Sequence, residues 1–131
     1  MKPPAFRSFI FYGTVSDGYY LFDGRKNNIL TTNPQIYAGF QNTAVYNLNT
    51  SNVIIDGKIY TLPSNKVLPL NKSSYYLECI QLTTFPQPAF TTNDVASIKS
   101  IGNIKALVFY DVTLTEEEVQ ENLRKLDEYY K

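Results

Sequence analysis

An Asp-Gly pair between two runs of β-branched and aromatic residues constrains the fold of this chain more than any other feature. Residues 52–62 read NVIIDGKIYTL, with Asp56-Gly57 at the centre. A type I′ turn needs positive φ at both central residues, which Asp and Gly tolerate, and its twist matches that of two antiparallel strands. The sequence therefore predicts a β-hairpin with Asp56-Gly57 at its tip.

Four further segments have the composition of strands, and the shortest is residues 19–22 (YYLF), which lie between two turns. Residues 6–12 are mostly apolar, which is typical of a strand covered on both faces, and Gly13 is expected to end it. Residues 75–82 (YYLECIQL) predict another strand. Residues 104–110 (IKALVFY) are apolar on both faces, which indicates a central strand.

The end of the chain has a helical pattern instead. Thr115 and Glu118 form a capping box, in which each side chain can hydrogen-bond the other residue's backbone amide. A helix over about residues 116–130 is predicted, with an apolar stripe that we expect to dock on the sheet. A coiled-coil seam is the alternative, but the stripe covers only about two heptads. Its members are Val119, Leu123, Leu126 and Tyr130.

These elements define the expected fold class. The 131 residues suffice for one domain, and a hydrophobic content of 44% excludes intrinsic disorder. We predict a mainly β fold, a compact antiparallel β-sandwich with one C-terminal α-helix. Pro3 and Pro4 favour an extended N-terminal arm over residues 1–5, so the sandwich domain is expected to comprise residues 6–131.

Composition excludes several classes of function. Histidine is absent and cysteine occurs once, so a His-based triad, a zinc site rich in His or Cys, and an internal disulfide are impossible. The 12 basic and 12 acidic residues balance to zero formal charge, which leaves no overall field to attract nucleic acid. No segment approaches the ~18 apolar residues of a membrane span. We expect no nucleic-acid partner, no membrane span and no cofactor.

Carboxylates are too sparse to predict an enzyme. Glu78 is the one acid in the middle of a predicted strand, and no second acid lies two or four positions away on the same strand face. Asp23, Asn27 and Asn28 could offer oxygens to calcium, but no regular acidic spacing is present and a polar surface turn explains them better. Cys79 has no His to activate it and is expected to be a buried core residue. The chain is therefore predicted not to be an enzyme.

Adjacent tyrosines are the candidate contact residues. Tyr19-Tyr20 and Tyr75-Tyr76 lie in predicted strands, where neighbouring side chains face opposite ways. One ring of each pair could face outward and contact a partner protein or a glycan. The alternative, in which both faces of each strand are covered, stays open. The candidate contacts are Tyr19, Tyr20, Tyr75 and Tyr76, and no catalytic, metal-binding or cofactor-binding residue is predicted.

Residues 102–118 (GNIKALVFYDVTLTEEE) resemble the closing strand and following helix start of concanavalin A-like lectin/glucanase jelly rolls of the laminin G-like branch. Residues 20–24 (YLFDG) are similar to the opening strand of that family, and residues 53–60 to its late hairpin. The resemblance implies a reduced or rearranged jelly roll, because the sequence has no Trp and the family's middle strands are not recognisable in it. The Glu-x-Asp-x-x-Glu motif of the glucanase members is missing as well, so no catalytic residue carries over.

Such jelly rolls occur in phage and bacterial surface proteins, and the resemblance implies a function of that kind. We expect the chain, with its Pro-rich arm, to be a self-contained virion module. We expect a non-enzymatic structural or decoration module of a phage capsid, tail or fibre. Its partners would be virion or other assembly proteins, further copies of the chain and a host-surface glycan. The alternative is a carbohydrate-binding module of a bacterial cell-surface system, located outside the cell.

Overall fold

The computed structural model describes residues 6–17, 20–23, 37–39, 48–64, 66–83 and 101–131. The predicted N-terminal arm and the polar turn with Asn27 and Asn28 lie outside these residues. Within them, seven strands precede one helix. The strands are β1 (Phe6–Asp17), β2 (Tyr20–Asp23), β3 (Tyr37–Gly39), β4 (Leu48–Ile55), β5 (Lys58–Ile59), β6 (Ser74–Thr83) and β7 (Ile101–Tyr110), and the helix is α1 (Glu116–Tyr129).

Five strands form one antiparallel sheet in the order β5-β4-β6-β1-β7, and β2 pairs with β3 in a separate two-stranded sheet. The fold is thus mainly β, a small sandwich-like domain with one C-terminal helix, as predicted. β6 spans the strand that residues 75–82 predict.

The β4–β5 hairpin confirms the strongest local prediction. Ile54 pairs with Ile59 and Ile55 with Lys58, and the turn between them consists of Asp56 (φ 54°) and Gly57 (φ 83°). Positive φ at both positions is the signature of a type I′ turn.

Gly13 does not end β1, contrary to expectation. The strand continues to Asp17, and its register with β7 shifts between Tyr12 and Gly13, whose φ is 151°. Glycine lets a strand absorb an irregularity of this kind without steric cost, so it marks a bulge here. Gly13 therefore lies at a bulge within a longer strand.

β7 lies at one edge of the five-stranded sheet, among the described strands, whereas its sequence predicted a central strand. Its side chains are apolar on both sides because both faces of the sheet are covered. Leu107 and Phe109 pack into the core on one face, and Tyr110 packs into the core on the other. Apolar residues on both faces of a strand indicate that both faces are covered. They do not indicate whether the strand lies at the centre or at the edge of its sheet.

The helix begins as predicted. Thr115 Oγ1 accepts a hydrogen bond from the Glu118 amide (3.1 Å), and the Thr115 amide donates to Glu118 Oε1 (2.9 Å), which completes the capping box. Val119 is buried, and Leu123 and Leu126 pack against the same core. The apolar stripe therefore docks on the sheet.

Each face of the five-stranded sheet carries its own core. The face that α1 covers, called the helix face below, is built around Ile10, Ile54, Tyr76, Leu114 and Val119. The opposite face, called the aromatic face, is larger and almost wholly apolar. Its buried members are Phe6, Phe9, Phe11, Leu48, Val53, Ile55, Leu68, Tyr75, Leu77 and Cys79, which confirms the expected burial of the cysteine.

Candidate functional site

The structure places both members of the Tyr75-Tyr76 pair in the interior. Tyr75 is fully buried on the aromatic face and Tyr76 is 1% exposed on the helix face. The expectation that one ring faces outward does not hold for this pair, because a core covers each face of β6. Neither ring is available to a partner in this fold.

Tyr19 lies outside the described residues, and of Tyr20 only the strand backbone is described, as part of β2. Their role as contacts therefore stays a prediction.

Glu78 stands out instead, because it is a carboxylate that is only 4% exposed. Oε1 accepts a hydrogen bond from Asn49 Nδ2 (2.9 Å), and Oε2 accepts from Asn52 Nδ2 (2.9 Å) and from the Tyr76 hydroxyl (2.7 Å). The Leu114 amide in turn donates to the Tyr76 hydroxyl (2.6 Å). This network links β4, β6 and the segment before α1, and its hydrogen bonds offset part of the cost of burying the charge.

A bulge in β4 brings both asparagines to Glu78. The register between β4 and β6 shifts between Asn49, which pairs with Glu78, and Ile54, which pairs with Tyr76. In a regular strand, residues 49 and 52 would face opposite sides of the sheet. The extra residues of the bulge turn both side chains toward the same carboxylate.

A second irregularity lies where β6 pairs with β1, and its extra residues are on β6, between Glu78 and Thr83. The register with β6 shifts between Phe6 and Ser8, and Phe6 packs in the same core as Phe9, which strict alternation would forbid. Arg7 lies at this shift, is half-buried and donates from Nε to the Cys79 carbonyl (3.3 Å). Bulges often redirect a side chain next to a functional site.

The two bulges border an open cavity of about 450 Å³, called the Glu78 pocket below. Volumes of roughly 300 to 1,000 Å³ are usual for small-molecule sites. Of the described residues that line the pocket, five are polar or charged and three are apolar. They are Arg7, Leu48, Asn49, Thr50, Glu78, Cys79, Ile80 and Thr113.

Burial raises the pKa of the Tyr76 phenol well above its ordinary value, and hydrogen bonds from neighbouring groups oppose that rise in part. Tyr76 therefore stays protonated and donates its hydrogen to Glu78. The carboxylate is the acceptor at the centre of the network, with a donor on each oxygen. These hydrogen bonds hold the Glu78 carboxylate in a fixed position at the pocket.

A second surface lies at the end of α1 and consists of Tyr12, Tyr129 and Tyr130, called the tyrosine cluster below. The rings of Tyr12 and Tyr130 stack with centroids 5.6 Å apart, and Tyr129 meets Tyr130 edge-on at 4.9 Å. Tyr129 is 80% exposed. The sequence shows the pair 129-130 plainly, but only the fold adds Tyr12 to it.

Polar contacts fix the tyrosine cluster in place. The Tyr12 hydroxyl donates to Asp127 Oδ1 (2.5 Å), and the Tyr130 hydroxyl donates to the Lys105 carbonyl (2.7 Å). Lys105 Nζ lies 5.9 Å from the centroid of the Tyr12 ring, within the range of a cation–π contact. Hydrogen bonds thus hold two of the three hydroxyls, and Tyr129 is the most exposed aromatic side chain of the cluster.

The described part of the chain contains no group of three or more His, Cys, Asp and Glu side chains that could hold a metal ion. Across those residues, no helix is long and apolar enough to cross a bilayer.

We compared the chain with protein-family models, with curated proteins and with solved structures, and none of the three comparisons finds a match. The resemblance to laminin G-like jelly rolls therefore stays a prediction from the sequence.

Proposed function

We propose that this protein is a non-enzymatic structural or decoration module of a virion, attached to a larger assembly through protein contacts. The observation that carries the proposal is the tyrosine cluster, because it presents a large exposed aromatic ring on a rigid base. Tyrosine is enriched at protein interfaces, where it supplies much contact area at a low cost in conformational entropy. The lectin-like resemblance of the sequence supports the same class by analogy.

The polar interior supports a non-catalytic role. Glu78 holds hydrogen bonds on both carboxylate oxygens, and Tyr76 both accepts and donates one. Buried groups that are hydrogen-bonded to one another in this way stabilise a unique fold. Among the exposed apolar side chains, Tyr129 is the one that the tyrosine cluster presents to a partner.

Light scattering over a concentration series tests the proposal through the native mass. A stable trimer or larger ring supports assembly, and Tyr129→Ser should then dissociate it. Ile59→Ser is the matched control, because Ile59 is also exposed (57%) but contacts the opposite end of α1. A monomer at every concentration, with no change of mass in either variant, would count against self-assembly and favour the alternative below.

The alternative function is a carbohydrate-binding module of a bacterial cell surface. The Glu78 pocket favours it, since amide, hydroxyl and guanidinium groups surround a cavity of small-molecule size. A glycan array tests this alternative. Tyr75→Ala and Tyr76→Ala are unsuitable as binding tests, because both side chains are buried and their removal would act through stability.

A further inference from the structure

The Glu78 pocket contains polar groups that the fold does not use. Arg7 engages the protein only through Nε, so within the described residues its two terminal nitrogens have no partner. The exposed Thr50 and Thr113 hydroxyls likewise form no hydrogen bond there. Glu78 Oε1 accepts one hydrogen bond, from Asn49, and a carboxylate oxygen can accept two.

The charges of the pocket restrict what it can bind. Arg7 and Glu78 line the same cavity, but they form no ion pair in the described part of the chain. A guanidinium with free terminal nitrogens suits a carboxylate, which it can hold through two parallel hydrogen bonds. The nearby Glu78 charge opposes a doubly charged anion and favours ligand hydroxyl groups that donate to it.

The apolar residues that line the pocket restrict the class of ligand further. No aromatic side chain is among the described residues that line the pocket, so the stacking platform that neutral sugars commonly use is missing there. Ile80 is 60% exposed at the edge of the cavity and offers an aliphatic contact to ring C–H groups. The lining therefore suits a small ring with one carboxylate and several hydroxyls.

We propose that the Glu78 pocket binds a sugar acid with a single negative charge, of the hexuronic acid type. The terminal nitrogens of Arg7 hold the ligand carboxylate. Glu78 Oε1 accepts from one ligand hydroxyl, and Thr50 and Thr113 hydrogen-bond to others. Arg7 precedes Tyr12 by five residues on β1, about 16 Å at ~3.3 Å per residue. The site is thus separate from the tyrosine cluster, and the proposal is independent of the assembly role.

NMR titration of the full chain tests the proposal, with shifts of the backbone amides as the readout. The probes are D-galacturonate, digalacturonate, D-galactose, acetate and inorganic phosphate. Galacturonate should bind at least about tenfold more tightly than galactose, which lacks the carboxylate, or acetate, which lacks the hydroxyls. The shifted amides should be those of β1, β4 and β6 around the pocket. Tighter binding of digalacturonate than of the free acid would identify a glycan as the source of the ligand.

Variants of Arg7 assign the binding to the pocket. Arg7→Gln should weaken galacturonate binding about tenfold or more, and Arg7→Lys should weaken it less, because lysine keeps the charge but loses the paired geometry. Lys105→Gln is the matched control, because it removes a cation at the tyrosine cluster and not at the Glu78 pocket. It should leave the affinity for galacturonate unchanged. If Arg7→Gln fails to fold, Thr113→Val serves instead, with an expected loss of about threefold or more.

Three results would overturn the proposal. They are the absence of galacturonate binding, an affinity that Arg7→Gln leaves unchanged in a folded protein, and tighter binding of phosphate than of galacturonate. None of them bears on the native mass, so the assembly proposal would stand or fail separately.

Discussion

The two faces of the five-stranded sheet are built from different chemistry, and the neighbours Tyr75 and Tyr76 show the contrast directly. On the aromatic face, Tyr75 lies among apolar side chains and its hydroxyl donates to the Pro69 carbonyl (2.7 Å). On the helix face, the Tyr76 hydroxyl connects Glu78 to the Leu114 amide. Identical side chains one residue apart therefore serve an apolar core and a polar network.

This difference separates bulk stability from structural specificity. Apolar packing is non-directional, so the aromatic face tolerates changes that conserve volume. Each group of the Glu78 network has a required partner and direction, so one lost group leaves another buried and unpaired. We expect the aromatic face to supply most of the free energy of unfolding and the helix face to fix the position of α1.

The largest expected effect comes from the aromatic face. Phe9 is 1% exposed and its ring centroid lies 6.2 Å from that of Phe6 and 6.0 Å from that of Phe109. Phe9→Ala should lower the free energy of unfolding by about 3 to 5 kcal/mol, because it removes a buried ring and leaves a cavity. Denaturant unfolding measures it.

Phe9→Leu is the matched control for that change, since it keeps most of the apolar volume. It should cost clearly less than Phe9→Ala. A cost for Phe9→Ala under about 1 kcal/mol would show that this face is not tightly packed, because such small effects are typical of exposed sites.

Tyr76→Phe and Tyr75→Phe sharpen the comparison between the faces, since each removes one hydroxyl and keeps the ring. Tyr76→Phe should cost about 1 to 3 kcal/mol, because the Leu114 amide and Glu78 both lose a buried partner. Tyr75→Phe should cost about 0.5 to 1.5 kcal/mol. Equal costs of the two substitutions in denaturant unfolding would show that the hydroxyls of Tyr75 and Tyr76 contribute alike.

A smaller effect is expected where the helix face meets the capping box. Thr115→Ala removes the oxygen that accepts from the Glu118 amide and should cost about 1 kcal/mol. Thr115→Ser keeps that oxygen and should be close to neutral. Thermal unfolding of the pair measures the difference, and a Thr115→Ala variant as stable as Thr115→Ser would mean that tertiary packing alone holds the first turn of α1.

Local chemistry made parts of the fold predictable from the sequence. The Asp56-Gly57 turn and the Thr115–Glu118 capping box depend on residues close together in the chain, so their patterns predict their structures directly. The edge position of β7 depends instead on which strands pair across the fold. No local pattern encodes that order, and apolar coverage on both faces gave the wrong position.

The candidate site was predictable only in part, for a related reason. Glu78 is conspicuous in the sequence as an acid in the middle of an apolar strand, but its partners Asn49 and Asn52 lie more than 20 residues away in the chain. Strict alternation would also put those two on opposite faces of their strand. The bulges in β4 and β6 override alternation, and a bulge without glycine leaves no clear local signal.

A titration at alkaline pH tests the smallest difference between the aromatic face and the helix face. Phenols on both faces have raised pKa values, but for different reasons. The pKa of Tyr12 is raised from 10 to about 12, mainly by the hydrogen bond to Asp127 and to a lesser extent by burial. Burial raises the pKa of Tyr75 to about 12 as well. A raised folded-state pKa favours the neutral phenol, so the stabilisation is complete below pH 10 and is lost as the pH rises through about 12.

Asp127→Asn should lower the pKa of Tyr12 and leave that of Tyr75 unchanged, and Tyr12→Phe should remove the affected step from the tyrosinate absorbance titration. A titration curve that Asp127→Asn does not alter would show that burial, and not the carboxylate, holds the proton on Tyr12.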